Sequence, residues 1–454
     1  MAAMRNPWLI LIAGVVGTLA SLPGQTNGIS PFIDFLIESL ALSRVHLSLA
    51  YLIGTISSAA VMPYAGALYD RYGSRRLSLV SGFALGLSVL AISYVDRIAQ
   101  SLIALLPLVS RAIVATAVMA AAFFLVRFFG QGILNMASRN MVMKWFDSRR
   151  GLATACMAPL IALGFAYAPR VFDAMIGIWG WRGSWRVMAL LLLTLFSLFV
   201  RLLFSDPSQE ERRTARNARS LRLPVPKTMR RALNARAERE PPRPKEDFTL
   251  EQARKTLIFW LFNMTNGFSS LVGTGFTFHV VALFAAAGMS RATALAVFFP
   301  ATTIAVVLQF VAGIVSDYVR LKYFAAVHMA GIFVMMTALM FLGSGTPYAV
   351  LVVGMALNTA MMNINTVITW PRFFGITHLG RISGVAFVWM VAGSAIGPYV
   401  YSLSEWATGS YFLVALVFAL VAAALFVLSF LAENPNRVEP SRSDDLTTMH
   451  RRGS

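Results

Sequence analysis

The sequence predicts an all-α membrane protein: twelve transmembrane helices in two pseudo-symmetric six-helix bundles. Three observations carry this. Apolar runs of about 20 residues, the length that crosses a bilayer, recur along the whole chain. Of the 454 residues, 57% are hydrophobic and only 13% are charged, against about a quarter charged in a soluble protein. A set of residues in the first half also returns in the second at one fixed spacing.

A formal charge of +19 would suggest nucleic acid as the partner of a soluble protein. Here the basic residues sit mainly between apolar runs, where they set orientation and meet membrane lipids. No groove-reading module is present, so no nucleic-acid partner is expected. The single cysteine, Cys156, lies within an apolar run, which excludes an intramolecular disulfide and a cysteine-based metal site. No H-E-x-x-H occurs, and the glycine-rich stretch 267–275 lacks the lysine that would meet a phosphate. The expectation is a protein that is not an enzyme, holds no cofactor or metal, and has no ATP-driven engine.

Taken in order, the expected spans are 8–37, 46–68, 77–95, 113–141, 151–172 and 185–204, then 256–284, 292–315, 324–343, 348–370, 382–403 and 410–431. Arg5 precedes the first run. That run continues through Gly28 and more spans follow, so it reads as a span rather than a cleaved signal. Residues 96–112 have two readings. Asp96 and Arg97 suggest a loop and 102–109 is apolar again, so a lengthened third span or an outer-surface segment both fit. Segment 205–255 is rich in Arg, Glu and Pro and has no long apolar face, so it is expected as a basic cytoplasmic linker, either a solvated tether or lying on anionic headgroups. The resulting domains are an N-terminal bundle (1–204), the linker (205–255), a C-terminal bundle (256–431) and a disordered cytoplasmic tail (432–454). Lysine and arginine bias places both termini in the cytoplasm, in a plasma (bacterial inner) membrane.

Between spans 2 and 3 stands Gly66-Ala-Leu-Tyr-Asp70-Arg71-Tyr-Gly73-Ser-Arg75-Arg76. An acid and three arginines in a turn between apolar runs must lie at a membrane face. Gly66 permits close helix approach, and Asp70 can accept from helix-end N–H groups or pair with an arginine. The stretch resembles the loop between helices 2 and 3 of the major facilitator superfamily, pattern G-x-x-x-D-R-x-G-x-R-R. The repeat adds to this. Ser43, Arg44, Gly66 and Asp70 shift by 247 residues onto Ser290, Arg291, Gly313 and Asp317, and Gly28 and Ser30 onto Gly275 and Thr277. Arg150-Gly151-Leu-Ala153 is echoed by Ser383-Gly384-Val-Ala386. A duplicated six-helix unit around a midplane site is the build of many secondary transporters. On the resemblance, the Asp70 and Asp317 loops are expected to fasten the cytoplasmic side in one state of an alternating-access cycle.

Span 4 carries Arg127-Phe-Phe-Gly130-Gln-Gly132, similar to the superfamily's R-x-x-x-G-x-G pattern with the first glycine one place early. A guanidinium near the midplane needs an acid, carbonyls, water or an anionic ligand. Arg127 therefore reads as a substrate-anion or coupling residue, or as a structural arginine. Span 1 has a small polar face (Thr18, Ser21, Gln25, Gly28) and a breaking Pro23-Gly24, with Asn27 beside it. Asn263, Asn266 and Ser270 mark span 7, with His279 further out, and Asn358 and Asn365 mark span 10. In this superfamily helices 1, 4, 7 and 10 line the central cavity. The substrate candidates are therefore Gln25, Asn27, Arg127, Asn263, Asn266, His279, Asn358 and Asn365; interhelical hydrogen bonding is the alternative use of such amides. Asp34 and Glu38, one turn apart near the outer end of span 1, are candidates for proton coupling or for an interfacial acid pair answering Arg44 or His46.

Trp145-Phe-Asp-Ser-Arg149-Arg150-Gly151, Gly180-Trp181-Arg182 with Trp185-Arg186, and Pro371 through Gly384 look like the monocarboxylate transporter and oxalate:formate antiporter branch. That resemblance implies small carboxylate substrates, with proton symport or anion exchange; a monomer is expected. The branch's basic residues in helix 8, helix 11 or helix 1 have no counterpart here. A drug or neutral-metabolite exporter and a non-transporting sensor are the other readings.

Overall fold

In a computed structural model, residues 7–146, 150–207, 247–316, 319–343, 345–375 and 377–431 are described. They are helical nearly throughout. Ten helices are long and apolar enough to cross a membrane. Two are too long for one crossing. Arg44–Ile92 has 49 residues and Cys156–Leu203 has 48, roughly 70 Å of helix against a hydrocarbon core of about 30 Å. Each is broken by a glycine with positive φ: Gly73 (+76°) and Gly180 (+65°). Each long helix is thus two antiparallel spans, and the described residues make twelve. The first described residue, Pro7, and the last, Leu431, lie on one side, called here the terminal face.

The duplication explains residues 96–112. Ser43 and Ser290, 247 apart, both cap their helices, accepting from His46 N and Thr293 N. Gly180 and Gly409, both left-handed, turn the chain between spans 5 and 6 and between spans 11 and 12. Their spacing is 409 − 180 = 229. The N-terminal half therefore carries 18 extra residues (247 − 229) between spans 3 and 4. They form a separate amphipathic helix, Val95–Leu105, that buries Val95 and Ala99 and is held by an Asp96–Arg182 ion pair of 2.5 Å. It is an insertion at the face opposite the termini and not a lengthened third span.

Each half has its own apolar core. Phe32, Tyr51, Leu85, Phe123, Trp185 and Phe204 pack in the first, with the Phe32 and Trp185 rings 4.3 Å apart. Val272, Phe276, Met336, Tyr401 and Phe418 pack in the second. Two residues join the other half's core, Phe278 against Tyr51 and Ala166 among the C-terminal residues. Tyr167 also meets Phe299. These contacts all lie toward the face opposite the termini. On the terminal side spans 2 and 11 leave open space beside their glycines. A Cβ at Gly66, Gly380 or Gly384 would find no other atom within 4 Å, and Tyr64, Phe387 and Val388 stand exposed.

Segment 208–246 of the linker and the tail from 432 lie outside the described residues. The linker's described ends are held in place. Asp206 accepts from Ser74 N (2.7 Å) and from Lys144 (3.2 Å). Asp247 accepts from Thr377 N (2.8 Å), and Thr249 caps a short helix, Leu250–Arg254.

Candidate functional site: a buried arginine under an aromatic seal

Span 1 is not one helix. It runs Pro7–Ala20, tightens at Leu22–Gly24, is extended at Gln25, and resumes in short turns to Ile33–Leu40. Pro23 and Gly24 cause the break, since proline lacks the N–H that would continue the ladder. The break lies on the middle of span 4. A Cβ on Gly24 would stand 2.1 Å from Val126 O, so only glycine lets the two backbones touch. Opposite it, Arg127–Leu134 of span 4 is wound as a π-helix, a distortion common at functional sites.

Arg127 opens that π segment and is 3% exposed. Its Nη1 donates to the Tyr51 hydroxyl at 2.6 Å, and Cζ lies 4.7 Å from the Tyr51 ring centre. The same hydroxyl is 2.7 Å from Thr26 Oγ1. Arg127 Nε has no partner, and no acid pairs with the guanidinium among the described residues. Gln25 Nε2 donates to Ser21 Oγ (3.2 Å), and Asn27 Nδ2 donates to the Phe165 carbonyl of span 5 (3.1 Å). Arg127, Gln25 and Asn27 are thus gathered around the span 1 break.

Above Arg127 the halves are sealed. Tyr51 makes edge contacts with Phe123 and with Phe278 of the other half, at 5.4 and 5.0 Å. Nearer the surface, Asp34 takes Arg44 at 2.9 Å and lies 3.8 Å from Arg291. Arg291, from the C-terminal half, also pairs with Asp173 (2.7 Å) and donates to Pro31 O. Arg44 and Arg291, equivalent in the repeat, thus converge on one acid. In this conformation Asp34 is an ion-pair residue, and Glu38 is exposed beside it.

The C-terminal amides are placed differently. Ser269 Oγ donates to Asn358 Oδ1 (2.7 Å), His328 Nε2 lies 3.0 Å from the same oxygen, and Asn365 Nδ2 lies 3.3 Å from His328 Nδ1. His328 belongs to span 9, so Asn358 and Asn365 turn into the C-terminal bundle and not toward Arg127. Asn263 donates to Phe259 O (2.8 Å). Asn266, fully buried, has neither amide atom paired. His279 lies 2.8 Å from Pro398 O and stacks on Tyr401, tying spans 7 and 11 together. Asn363 Nδ2 of span 10 donates to Gln309 Oε1 of span 8 at 3.4 Å, and both side chains stay accessible. Neither was among the sequence candidates: Asn363 lies off the face marked by Asn358 and Asn365, and Gln309 is on span 8, outside the four spans expected to line the cavity.

At the terminal face Gly73 needs its positive φ, and Asp206 caps Ser74. Arg75 donates to Arg201 O. Asp70, Arg71 and Arg76 are exposed. Gly313 has Ile364 3.9 Å from where a Cβ would stand, while Asp317 lies outside the described residues. Asp206 was not foreseen, because it lies 132 residues from the turn that it caps.

Two six-helix units that meet at one face and enclose a buried cation are the build of a multi-pass membrane transporter. Residues 9–398 match the family model of the Major Facilitator Superfamily. The chain belongs to that superfamily, and is a transporter rather than an enzyme. No curated protein matches the sequence. Among solved structures it is similar to a bacterial homologue of the human lysosomal transporter Spinster in an inward-facing, occupied conformation, with TM-score 0.67 and 12% identity, covering 96% of this chain and 100% of that one. It is also similar to a D-xylose–proton symporter, with TM-score 0.63 and 15% identity, covering 95% and 99%. At these identities the likeness is one of fold.

Proposed function

We propose that this transporter carries a small organic anion, a monocarboxylate first among them, by rocking its two halves about the Arg127 region. One observation carries the reading: a guanidinium buried near the middle of a membrane span, with one nitrogen unpaired and no acid beside it among the described residues. Such a cation is costly to bury alone and is stabilised by an anionic ligand. Tyr51 links it to the aromatic seal, so an anion that draws Arg127 away loosens the seal. The terminal face is then the cytoplasmic one, as the arginine bias indicates, and this state is inward-open in a plasma or bacterial inner membrane. Asp34, with Glu38 one turn on, is the candidate for proton coupling, because it holds Arg44 and is one of three groups that meet Arg291 at the seal. This makes symport or anion exchange the coupling.

The test is thermal-shift binding of the purified protein with lactate and oxalate, since a ligand that binds the folded form raises its Tm. A rise that disappears in Arg127→Gln is expected. No rise with the native protein, or an equal rise in the variant, contradicts the anion reading. Gln309 and Asn363 favour a second reading, a neutral polar solute, and a shift with sugars or amides but not with carboxylates would select it.

A further inference from the structure

From the middle of span 4 toward the terminal face, every fourth residue is polar: Arg127, Gln131, Asn135 and Arg139. The π-helical winding of 127–134 takes more residues per turn, which brings positions four apart closer to one line. Exposure rises along the series. Arg127 is buried, Gln131 and Asn135 are half-buried, and Arg139 is exposed.

The neighbours of span 4 show which way this line faces. Gly17 of span 1 abuts Ser138, and Gly14 abuts Val142. Met62 of span 2 abuts Gly132. Ala137 and Met141, on the far side, are fully buried in the N-terminal bundle. The polar line therefore follows the strip between spans 1 and 2, away from the buried side of span 4, and its exposure grows toward the terminal face. Asn135 Oδ1 has no partner. Arg139 has neither an ion pair nor a hydrogen bond from its guanidinium among the described residues. It stands six residues inside the end of the helix at Trp145, about 9 Å at 1.5 Å per residue.

Two unpaired cations on one helix could grip one ligand or serve it in turn. Twelve residues separate them, about 18 Å along the axis. A small carboxylate cannot bridge that distance, so the two act in sequence, with two amides spaced between them.

We propose that Arg139 is a second anion-binding residue, which captures the substrate carboxylate at the terminal-face mouth and delivers it by way of Asn135 and Gln131 to Arg127. This rests on the anion reading above. An exposed cation acts mainly by long-range attraction, which raises association rates and is screened by salt.

The test is calorimetric titration of the purified full-length protein with lactate and with oxalate, at low and at high salt, for the native chain, Arg139→Gln, Arg139→Lys and Arg127→Gln. Arg139→Gln is expected to bind about tenfold more weakly at low salt, with the difference closing at high salt. Arg139→Lys should restore affinity, and Arg127→Gln should abolish binding at either salt. Native affinity in Arg139→Gln at low salt overturns the proposal. A loss that is independent of salt and not restored by lysine assigns Arg139 a structural role, and also overturns it. If the native protein binds neither anion while all variants melt normally, the anion reading itself fails and the role of Arg139 falls with it.

Discussion

Arg127 and Tyr51 hold one another, and this gives their variants opposite signatures. In Tyr51→Phe the ring contacts with Phe123 and Phe278 remain, while Arg127 and Thr26 lose their hydroxyl partner. A hydrogen bond to a charged group contributes about 1.5–3 kcal/mol. Tyr51→Phe should therefore melt lower without ligand, yet gain more from lactate, because no hydroxyl competes for the guanidinium. Melting curves with and without lactate check both signs, and a smaller ligand shift would contradict the competition. His328 gives a second case. His328→Ala leaves the Asn358 oxygen and the Asn365 amide short of a partner in a buried cluster. We expect a loss of about 2–4 kcal/mol, as for a buried hydrogen-bond pair with a cavity left behind, read as a fall in Tm with anion affinity unchanged. A fall in anion affinity would instead place the amides in the pathway. Arg127 was legible in the sequence because a lone cation in an apolar run demands an explanation. The destination of the amides was not, because the face they share also faces span 9, and helical spacing does not say which neighbour takes it.

Glycines at element junctions separate packing from motion. Gly24 touches the backbone of span 4, so Gly24→Ala should be severely destabilising, as a Cβ 2.1 Å from a carbonyl oxygen forces the break and the π segment apart. Gly73→Ala combines a positive φ with a clash against the Asp206 carboxylate, and should cost about 1–3 kcal/mol from backbone strain alone. Gly66 stands in open space in this conformation. Gly66→Val should leave the Tm within a degree or two of the native value and still slow transport, because span 2 must close there in the other state. Normal flux in Gly66→Val would show that this surface is never covered. Most spans were readable from runs of about 20 apolar residues and from the arginine-rich turns between them. Residues 96–112 were readable only as two alternatives, a lengthened span or a surface segment, because the apolar residues of Val95–Leu105 cover one face only and never form a run of that length. The insertion emerged when the repeat spacing fell from 247 to 229.

For the molecule as a whole, sequence duplication implied two halves, and the geometry adds which face is shut. The shut face is fastened by Arg291 reaching across to Asp173, Asp34 and Pro31, with the aromatic layer of Tyr51, Phe123 and Phe278 beneath. These partners lie 118 to 260 residues apart, too far for any local pattern to pair them. The most direct measurement of alternating access is a pair of spin-label distances in a Cys156→Ser background, one pair at Ala67 and Val388 on the terminal side, the other at Glu38 and Ala286 on the opposite side. Arg291→Gln removes the fastening at the shut face. We expect the variant to show a shorter Ala67–Val388 distance and a longer Glu38–Ala286 distance than the native chain, as the population moves toward the opposite opening. Two distances that stay fixed, or that lengthen together, would contradict a rocking of two rigid halves about the Arg127 region.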